Sequence, residues 1–211
     1  MKRITRVFTA AVLGLAMILS GCRQAGEVER SAYEQIQNQL LTMSGYESQA
    51  SVTYITNKNQ HTYQTLHQAR MTGEYRIEVT GPERVAGNVT INDNSSIVQF
   101  NTRVKGRIAV LPAEVSERME LFVTSFVKNY IKSQEVTITV SGSGESMCTV
   151  LEAVVPGSHP YLRTEKLWVN NKTLKPVKLS IYDPDGVERI TVAFDTFEYN
   201  VNFDDSIFKV Q

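Results

Sequence analysis

Apolar and polar residues alternate over two long stretches of this chain, from residue 46 to about 110 and again from residue 135 to the end. Successive side chains of a β-strand point to opposite faces, so this period of two predicts strands with one buried face and one wet face. The alternating sets include Val52 with Tyr54, Tyr75 with Ile77 and Val79, Val89 with Ile91, Val98 with Phe100, and Val136 with Ile138 and Val140. Turn-forming residues separate the sets, which predicts antiparallel meanders.

The clearest hairpin is predicted near the C-terminal end. Asp183-Pro184-Asp185-Gly186 suits a type I turn with proline at its second position. Alternating apolar residues flank the turn on both sides: Val177, Leu179 and Ile181 before it, and Ile190, Val192 and Phe194 after it. These two segments should pair across the turn.

Two segments have the period of a helix. Ser31 followed by Glu34 forms a capping-box pattern, which predicts a helix that ends at Gly45. Its apolar face is predicted to hold Tyr33, Ile36, Leu40 and Leu41. A second, core-facing helix is predicted from apolar residues at spacings of three and four: Val115, Met119, Phe122, Val123, Phe126, Val127, Tyr130 and Ile131.

These elements predict a mainly β (α+β) fold with two or three helices and about ten or eleven short antiparallel strands. Residues 31–211 then form a single domain. A curved antiparallel sheet, or an incomplete β-barrel with helices over its open side, would bury every apolar face.

The N-terminal residues predict export. Lys2, Arg3 and Arg6 form a positive tip, and the apolar run from Val7 to Leu19 is short for a membrane-spanning helix. Leu19-Ser20-Gly21-Cys22 then has the form of a bacterial lipobox. Residues 1–21 are predicted to be a signal peptide, Cys22 the lipidated residue, and residues 22–30 a flexible tether. An ordinary signal peptide with a coincidental cysteine is the alternative.

This interpretation places the domain on the extracytoplasmic face of the cell membrane, held by lipid on Cys22. A lipoprotein cysteine carries at least two acyl chains, such as palmitate, so attachment should be durable. Removal of the three basic residues in the signal leaves 19 basic and 22 acidic residues, a balance that gives no reason to expect nucleic acid as a partner. The other cysteine, Cys148, is interpreted as a buried inert thiol, with a reactive thiol or an intermolecular bridge as alternatives.

The polar residues form no convincing catalytic or metal-binding pattern. His61 and His67 fall on one predicted strand without a third ligand at metal-binding spacing, and His159 lies in a predicted turn. Turns and loops account for the aspartates Asp183, Asp185, Asp195, Asp204 and Asp205 without a calcium-loop pattern. The sequence therefore predicts a protein that is not an enzyme, with no catalytic residues, no cofactor and no metal.

The last forty or so residues resemble a known superfamily. The segments Leu174-Lys175-Pro176-Val177, Ile181-Tyr182-Asp183-Pro184-Asp185-Gly186, Val192-Ala193-Phe194-Asp195-Thr196-Phe197-Glu198-Tyr199-Asn200 and Asp204-Asp205-Ser206-Ile207-Phe208 carry the resemblance. They are similar to the closing hairpin and final segment of the lipoprotein-carrier (LolA/LolB-like) superfamily. With a lipobox in front, the chain looks most like the GerS-like germination lipoproteins of spore-forming Firmicutes.

The resemblance implies a half-open antiparallel barrel and a choice between two functions. GerS-like members bind and support a spore-cortex amidase that helps to make muramic-δ-lactam for germination, whereas carriers of this fold hold lipoprotein acyl chains in their hollow. We therefore expect a non-enzymatic partner of a cell-wall amidase, with an anchored carrier or receptor for acyl chains as the alternative. The stripe of Phe122, Phe126 and Tyr130 could line such a hollow or plug it. Exposed edge strands would also allow a homodimer.

Overall fold

The computed structural model describes residues 31–104, 108–112, 119–157 and 161–209. Its elements in chain order are α1 (31–42), β1 (Gly45–Ile55), β2 (Gln60–Arg70), β3 (Tyr75–Gly81), β4 (Asn88–Asn92), β5 (Ser96–Asn101), β6 (Ile108–Pro112), α2 (Val123–Lys132), β7 (Val136–Ser141), β8 (Cys148–Val154), β9 (Thr164–Asn170), β10 (Pro176–Tyr182), β11 (Glu188–Phe194) and β12 (Glu198–Tyr199). Short 3₁₀ turns occur at Glu83–Val85, Met119–Leu121, Gly144–Ser146 and Asp205–Phe208.

All the strands join one antiparallel sheet, in the order β6-β5-β4-β3-β2-β1-β11-β10-β9-β8-β7, with β12 paired to β1. The sheet is not closed into a barrel, since β6 and β7 stand at its opposite ends. The predicted curved sheet with helices over its open side is therefore confirmed. The described residues contain twelve strands, more than the ten or eleven expected, because the short β12 had no alternating pattern to reveal it.

The position of α2 follows from this strand order. β6 and β7 are consecutive strands at opposite ends of the sheet, so the chain between them must cross one whole face. α2 lies within that crossing and packs against β8 and β9. Its apolar side enters the main core together with Ile36 and Leu40 of α1. We call the face under the two helices the concave face and the opposite one the convex face.

The predicted hairpin at Asp183 is confirmed. The Gly186 N–H donates to the Asp183 carbonyl at 3.0 Å, and β10 pairs with β11 on either side of the turn. Leu179 lies opposite Val192, and Ile181 lies opposite Ile190. All four face the core, as the alternation predicted.

The central helix starts later than predicted. Among the described residues α2 begins at Val123, and Phe122 before it has extended backbone with φ −107° and ψ 134°. The extended residue lets the Phe122 ring enter the core while the Val123 N–H donates to the Tyr46 hydroxyl at 3.2 Å. Val115 lies outside the described residues. Ile131 was expected on the apolar stripe, but it is 58% exposed because α2 ends on the next residue.

Two local predictions in the first helix were wrong. Leu41 is 48% exposed, since the buried face of α1 is formed by Ala32, Ile36 and Leu40. Gly45 does not end the helix; it begins β1 opposite Arg70. A Cβ at Gly45 would overlap the backbone oxygen of Ala69, so this close approach of β1 to β2 requires glycine.

The apolar residues of β4 and β5 face the side opposite to the one that the meander prediction implied. Val89 lies opposite Phe100, and Thr90 lies opposite both Ile77 and Gln99. Because paired residues share a face, the concave side of β4 and β5 is mostly polar, with Ile97 as its buried apolar residue, and Val89, Ile91 and Phe100 lie on the convex side. Phe203, Ile207 and Phe208 of the last segment cover that convex side, so it forms a second small core.

Candidate functional site

The concave face has two parts, which we call the filled half and the open half. The filled half lies over β8 to β11, β1 and the ends of β2 and β3 at their connecting turn (Ala69 and Tyr75), where α1 and α2 and the residues before α2 pack. The open half lies over β4, β5, the rest of β2 and β3 and the adjoining end of β1, and it contains a cavity of about 980 Å³. This cavity is the candidate functional site.

Aromatic side chains close the filled half. Phe122 is 1% exposed, and its ring centroid lies 4.5 Å from that of Tyr75 and 5.1 Å from that of His67. Phe126 is fully buried and lies 5.8 Å from Tyr130. The sequence left open whether this stripe lines the hollow or plugs it. Phe122 and Phe126 plug it, and the cavity begins beside them at Leu121.

The cavity has an apolar floor and a polar wall. Val52, Ile77 and Val79 form part of the floor. The polar wall comes from facing pairs of β4 and β5, namely Asn88 with Asn101 and Thr90 with Gln99. The lining also includes apolar residues of β4 to β6: Val89, Phe100 and Ile108. The Asn101 amide nitrogen donates to the Asn88 side-chain oxygen at 2.7 Å. None of the described residues that line the cavity is a lysine, arginine, aspartate or glutamate.

Two tyrosines lie at the rim of the cavity. Tyr54 of β1 and Tyr63 of β2 have ring centroids 6.1 Å apart, with an angle of 71° between the rings. His61, which lies opposite Tyr54, is exposed beside them. The predicted common face of His61 and His67 is confirmed, but the two rings occupy different environments.

His67 is fully buried at the boundary between the two halves. The Thr65 hydroxyl uses its one proton to donate to the Ala50 carbonyl at 3.0 Å, so it accepts from His67 Nε2 at 2.9 Å. Nδ1 is then the unprotonated nitrogen, and it has no partner among the described residues. Burial lowers the pKa of His67 to about 3, which keeps the ring neutral.

Glu165 is the buried ionisable group of the filled half. It lies on the concave face of β9, where its Oε1 accepts from the Asn129 amide of α2 at 2.9 Å. Its Oε2 has no partner among the described residues. Burial raises the pKa of Glu165 to about 7; the Asn129 hydrogen bond opposes that shift, and the nearby Glu120 carboxylate adds to it.

The other polar residues singled out in the sequence have structural roles where the structure describes them. Asp183 accepts from two turn N–H groups and from Arg189, and Asp205 pairs with Arg70. Cys148 is buried on β8 as predicted, and burial raises the pKa of its thiol. No group of three metal-ligating side chains occurs among the described residues. Cys22 and His159 lie outside them.

Both ends of the sheet expose aliphatic side chains. Val136, Ile138 and Val140 of β7 lie opposite residues of the concave face, yet each is 42–45% exposed. At the other end, Ile108 and Val110 of β6 are 57% and 64% exposed on the convex side. Neither helix within the described ranges is long and apolar enough to cross a bilayer.

Sequence reasoning missed the cavity wall. Asn88, Thr90 and Asn92 alternate with Val89 and Ile91, so the signal was present as a strand with one uncharged polar face. Its position above a hollow could not be read from the strand itself, because it depends on which face the last segment covers.

The chain is similar to several known proteins. A curated relative, the sporulation protein YdcC of Bacillus subtilis (strain 168), is 19% identical over 212 residues, covering 99% of this chain. The chain spans 61% of that relative's length. Among solved structures, that of the CwlD amidase from Clostridioides difficile in complex with the GerS lipoprotein matches at 31% identity, over 81% of this chain and 95% of that one, with a TM-score of 0.48.

A third match is the LolA superfamily protein NE2245 from Nitrosomonas europaea. It is 13% identical over 86% of this chain and 97% of that one, with a TM-score of 0.46. The predicted resemblance to GerS is confirmed by the 31% identity. A family model described as Sporulation protein YdcC-like matches residues 2–208. The chain therefore belongs to the sporulation protein YdcC-like family.

Proposed function

We propose that this protein is a membrane-anchored, non-enzymatic lipoprotein that binds and supports a cell-wall amidase needed for spore-cortex modification and germination. The observation that carries the proposal is the 31% identity, over 95% of the matched chain, with the structure of an amidase in complex with a lipoprotein. The match to a sporulation family supports a role in spore formation. The proposal rests on the sequence identity and not on the superposition.

The exposed edge of β7 supplies a contact for such a partner. β7 stands at the end of the strand order, so its outer backbone groups face away from the sheet. Three exposed aliphatic side chains, Val136, Ile138 and Val140, line its concave side. A protein partner that covers them would bury apolar surface and can add a strand to the edge. We propose that the amidase occupies this edge.

The anchor is the second part of the proposal. The lipobox at Leu19-Ser20-Gly21-Cys22 would place the domain outside the cytoplasm and hold it at the membrane, where a cell-wall amidase works. Cys22→Ala should move the protein from the membrane fraction to the soluble fraction. Retention of that variant in the membrane would overturn lipid anchoring at Cys22.

Binding to the amidase can be measured with full-length protein in nanodiscs and the purified CwlD-type amidase of the same organism. We expect saturable binding to the wild type and at least tenfold weaker binding to Ile138→Lys, since a buried unpaired charge is costly at an interface. Val110→Lys, at a more exposed aliphatic position on β6, should bind as the wild type does. Wild type that fails to bind the amidase would refute the proposal.

The same preparation shows whether the amidase or a second copy of this chain occupies the β7 edge. Light scattering after size exclusion gives the mass of the protein without the amidase. A dimer that Ile138→Lys converts to a monomer would assign the edge to self-association and contradict the proposed amidase contact there. A monomer in both cases supports it.

The acyl-chain carrier remains the alternative function, and it is less well supported. A carrier needs an apolar hollow, whereas half of this hollow is plugged by Phe122 and Phe126 and the other half has an amide-lined wall. An acyl chain in the cavity would cover those amides without offering them hydrogen bonds.

A further inference from the structure

The cavity of the open half has a lining that selects a class of ligand. Its volume of about 980 Å³ lies at the upper end of the range of roughly 300–1,000 Å³ that small-molecule sites occupy. The described lining contains no lysine, arginine, aspartate or glutamate, so neither an anion nor a cation would meet an opposite charge there. A ligand without charge fits this described lining.

The wall favours a neutral ligand that is rich in hydrogen-bonding groups. Asn88, Thr90, Gln99 and Asn101 form two facing pairs on neighbouring strands, which places four polar side chains in a compact grid. Asn88 is exposed and Gln99 and Asn101 are half-buried, so their amide groups are accessible to a ligand in the cavity. The hydrogen bond from Asn101 to Asn88 fixes two of these side chains in place before a ligand arrives.

The remaining surfaces require that the ligand also have apolar faces. Val52, Ile77 and Val79 form an aliphatic floor, and Tyr63 and Tyr54 present aromatic rings at the rim. A sugar ring has this dual character, with hydroxyl groups around its edge and C–H groups on its faces. An acetamido substituent adds one N–H donor and one C=O acceptor, which a side-chain amide matches, and a methyl group for the floor.

We infer that the cavity of the open half is a binding site for a neutral N-acetylated glycan. Asn88, Asn101 and Gln99 contribute hydrogen bonds, and Tyr63 provides a stacking surface. This site depends on the lining of the cavity alone. It is independent of the proposed amidase contact, which lies at β7 on the other end of the sheet.

The test is calorimetric titration of the full-length chain in nanodiscs with chitotetraose, a neutral chain of four N-acetylglucosamine units. We expect saturable binding that Asn88→Leu weakens about tenfold or more, since that variant removes one wall amide and the partner of another. Asn38→Leu, the same substitution at an exposed position of α1, should bind as tightly as the wild type. Tyr63→Ala should also weaken binding, because the stacking surface is lost.

Further measurements make each outcome decisive. Thermal melts by circular dichroism check that the variants remain folded; both sites line an open cavity, so we expect melting curves close to that of the wild type. Maltotetraose, a neutral glycan without acetamido groups, should bind more weakly, and equal binding would overturn the acetamido assignment. Absence of chitotetraose binding, or displacement of the bound glycan by palmitate with no effect of Asn88→Leu, would overturn the glycan site.

Discussion

The two halves of the concave face are built from one continuous sheet, yet one is filled and the other is open. In the filled half the sheet residues Leu151, Leu167 and Leu179 are fully buried in the main core. In the open half the corresponding positions of β4 and β5 carry Thr90 and Gln99. The difference shows that the crossing segment determines where this fold has a core, because its aromatic residues reach only one side of the hollow.

This comparison also separates stability from binding. Close-packed residues that lose volume leave a cavity, whereas residues that already line an open cavity lose little when shortened. The filled half should therefore carry most of the free energy of folding, and the open half should tolerate substitution. Matched substitutions in the two halves test this division.

The largest expected effect is that of Phe126→Ala in the filled half. Removal of this fully buried ring should lower the free energy of unfolding by about 3–5 kcal/mol. The matched substitution Tyr63→Ala removes a half-buried ring from the open half and should cost at most about 1 kcal/mol. Urea unfolding followed by circular dichroism measures both, and equal losses would contradict the division into two halves.

Glu165 should make the filled half less stable as the pH rises. In the unfolded chain this carboxyl ionises near its ordinary pKa of 4.5, whereas burial raises its pKa to about 7 in the folded protein. The folded state thus binds more protons between these values, and its stability should fall by about 3 kcal/mol from pH 4.5 to pH 7 and then level off.

The test of this dependence is Glu165→Gln. The variant keeps an oxygen for the Asn129 amide and removes the charge, so its unfolding free energy should lack that fall with pH. Glu34→Gln, an exposed position on α1, should keep the wild-type profile. If Glu165→Gln shows the wild-type loss between pH 4.5 and pH 7, the buried carboxyl is not its source.

His67, at the boundary of the halves, should have the opposite effect. Its pKa is lowered from 6.5 to about 3 by burial, so below pH 6.5 the unfolded chain binds a proton that the folded chain excludes. Stability should therefore fall as the pH falls, by about 3 kcal/mol from pH 6.5 to pH 4.5. His67→Gln should remove this fall in the free energy of unfolding, measured by urea unfolding between pH 6.5 and pH 4.5. His61→Gln, on the exposed end of the same strand, should leave it unchanged, and an identical effect of both would contradict the role of burial.

The sequence predicted the features that depend on neighbouring residues and missed those that depend on distant contacts. The hairpin at Asp183 and the alternation in β10 and β11 depend on residues within one short segment, so local patterns were sufficient there. The start of α2 depends on a hydrogen bond between Val123 and Tyr46, which are 77 residues apart. No local pattern contains that contact, and the predicted helix was accordingly too long at its start.

The same limit applies to the candidate site. The period of two in β4 was visible, but the side to which Val89 and Ile91 point is set by Phe208 in the last segment. Only that distant cover makes Asn88 and Thr90 the lining of a hollow. The sequence likewise showed that Phe122 and Phe126 are bulky and apolar. Which strands their rings cover depends on the strand order, which the sequence did not show.

The smallest expected effect is that of Tyr46→Phe, which removes the hydrogen bond between β1 and the start of α2. The Tyr46 ring stacks on Phe197 at 4.5 Å, and its hydroxyl accepts from the first N–H of α2. The substitution keeps the stack and leaves the buried Val123 N–H without that partner, so it should cost about 1–3 kcal/mol in urea unfolding. Tyr63→Phe, which removes a hydroxyl from the rim of the open half, should be close to neutral. If the two hydroxyl deletions cost the same, this hydrogen bond does not hold α2 over the filled half, and packing of Phe122 and Phe126 alone must do so.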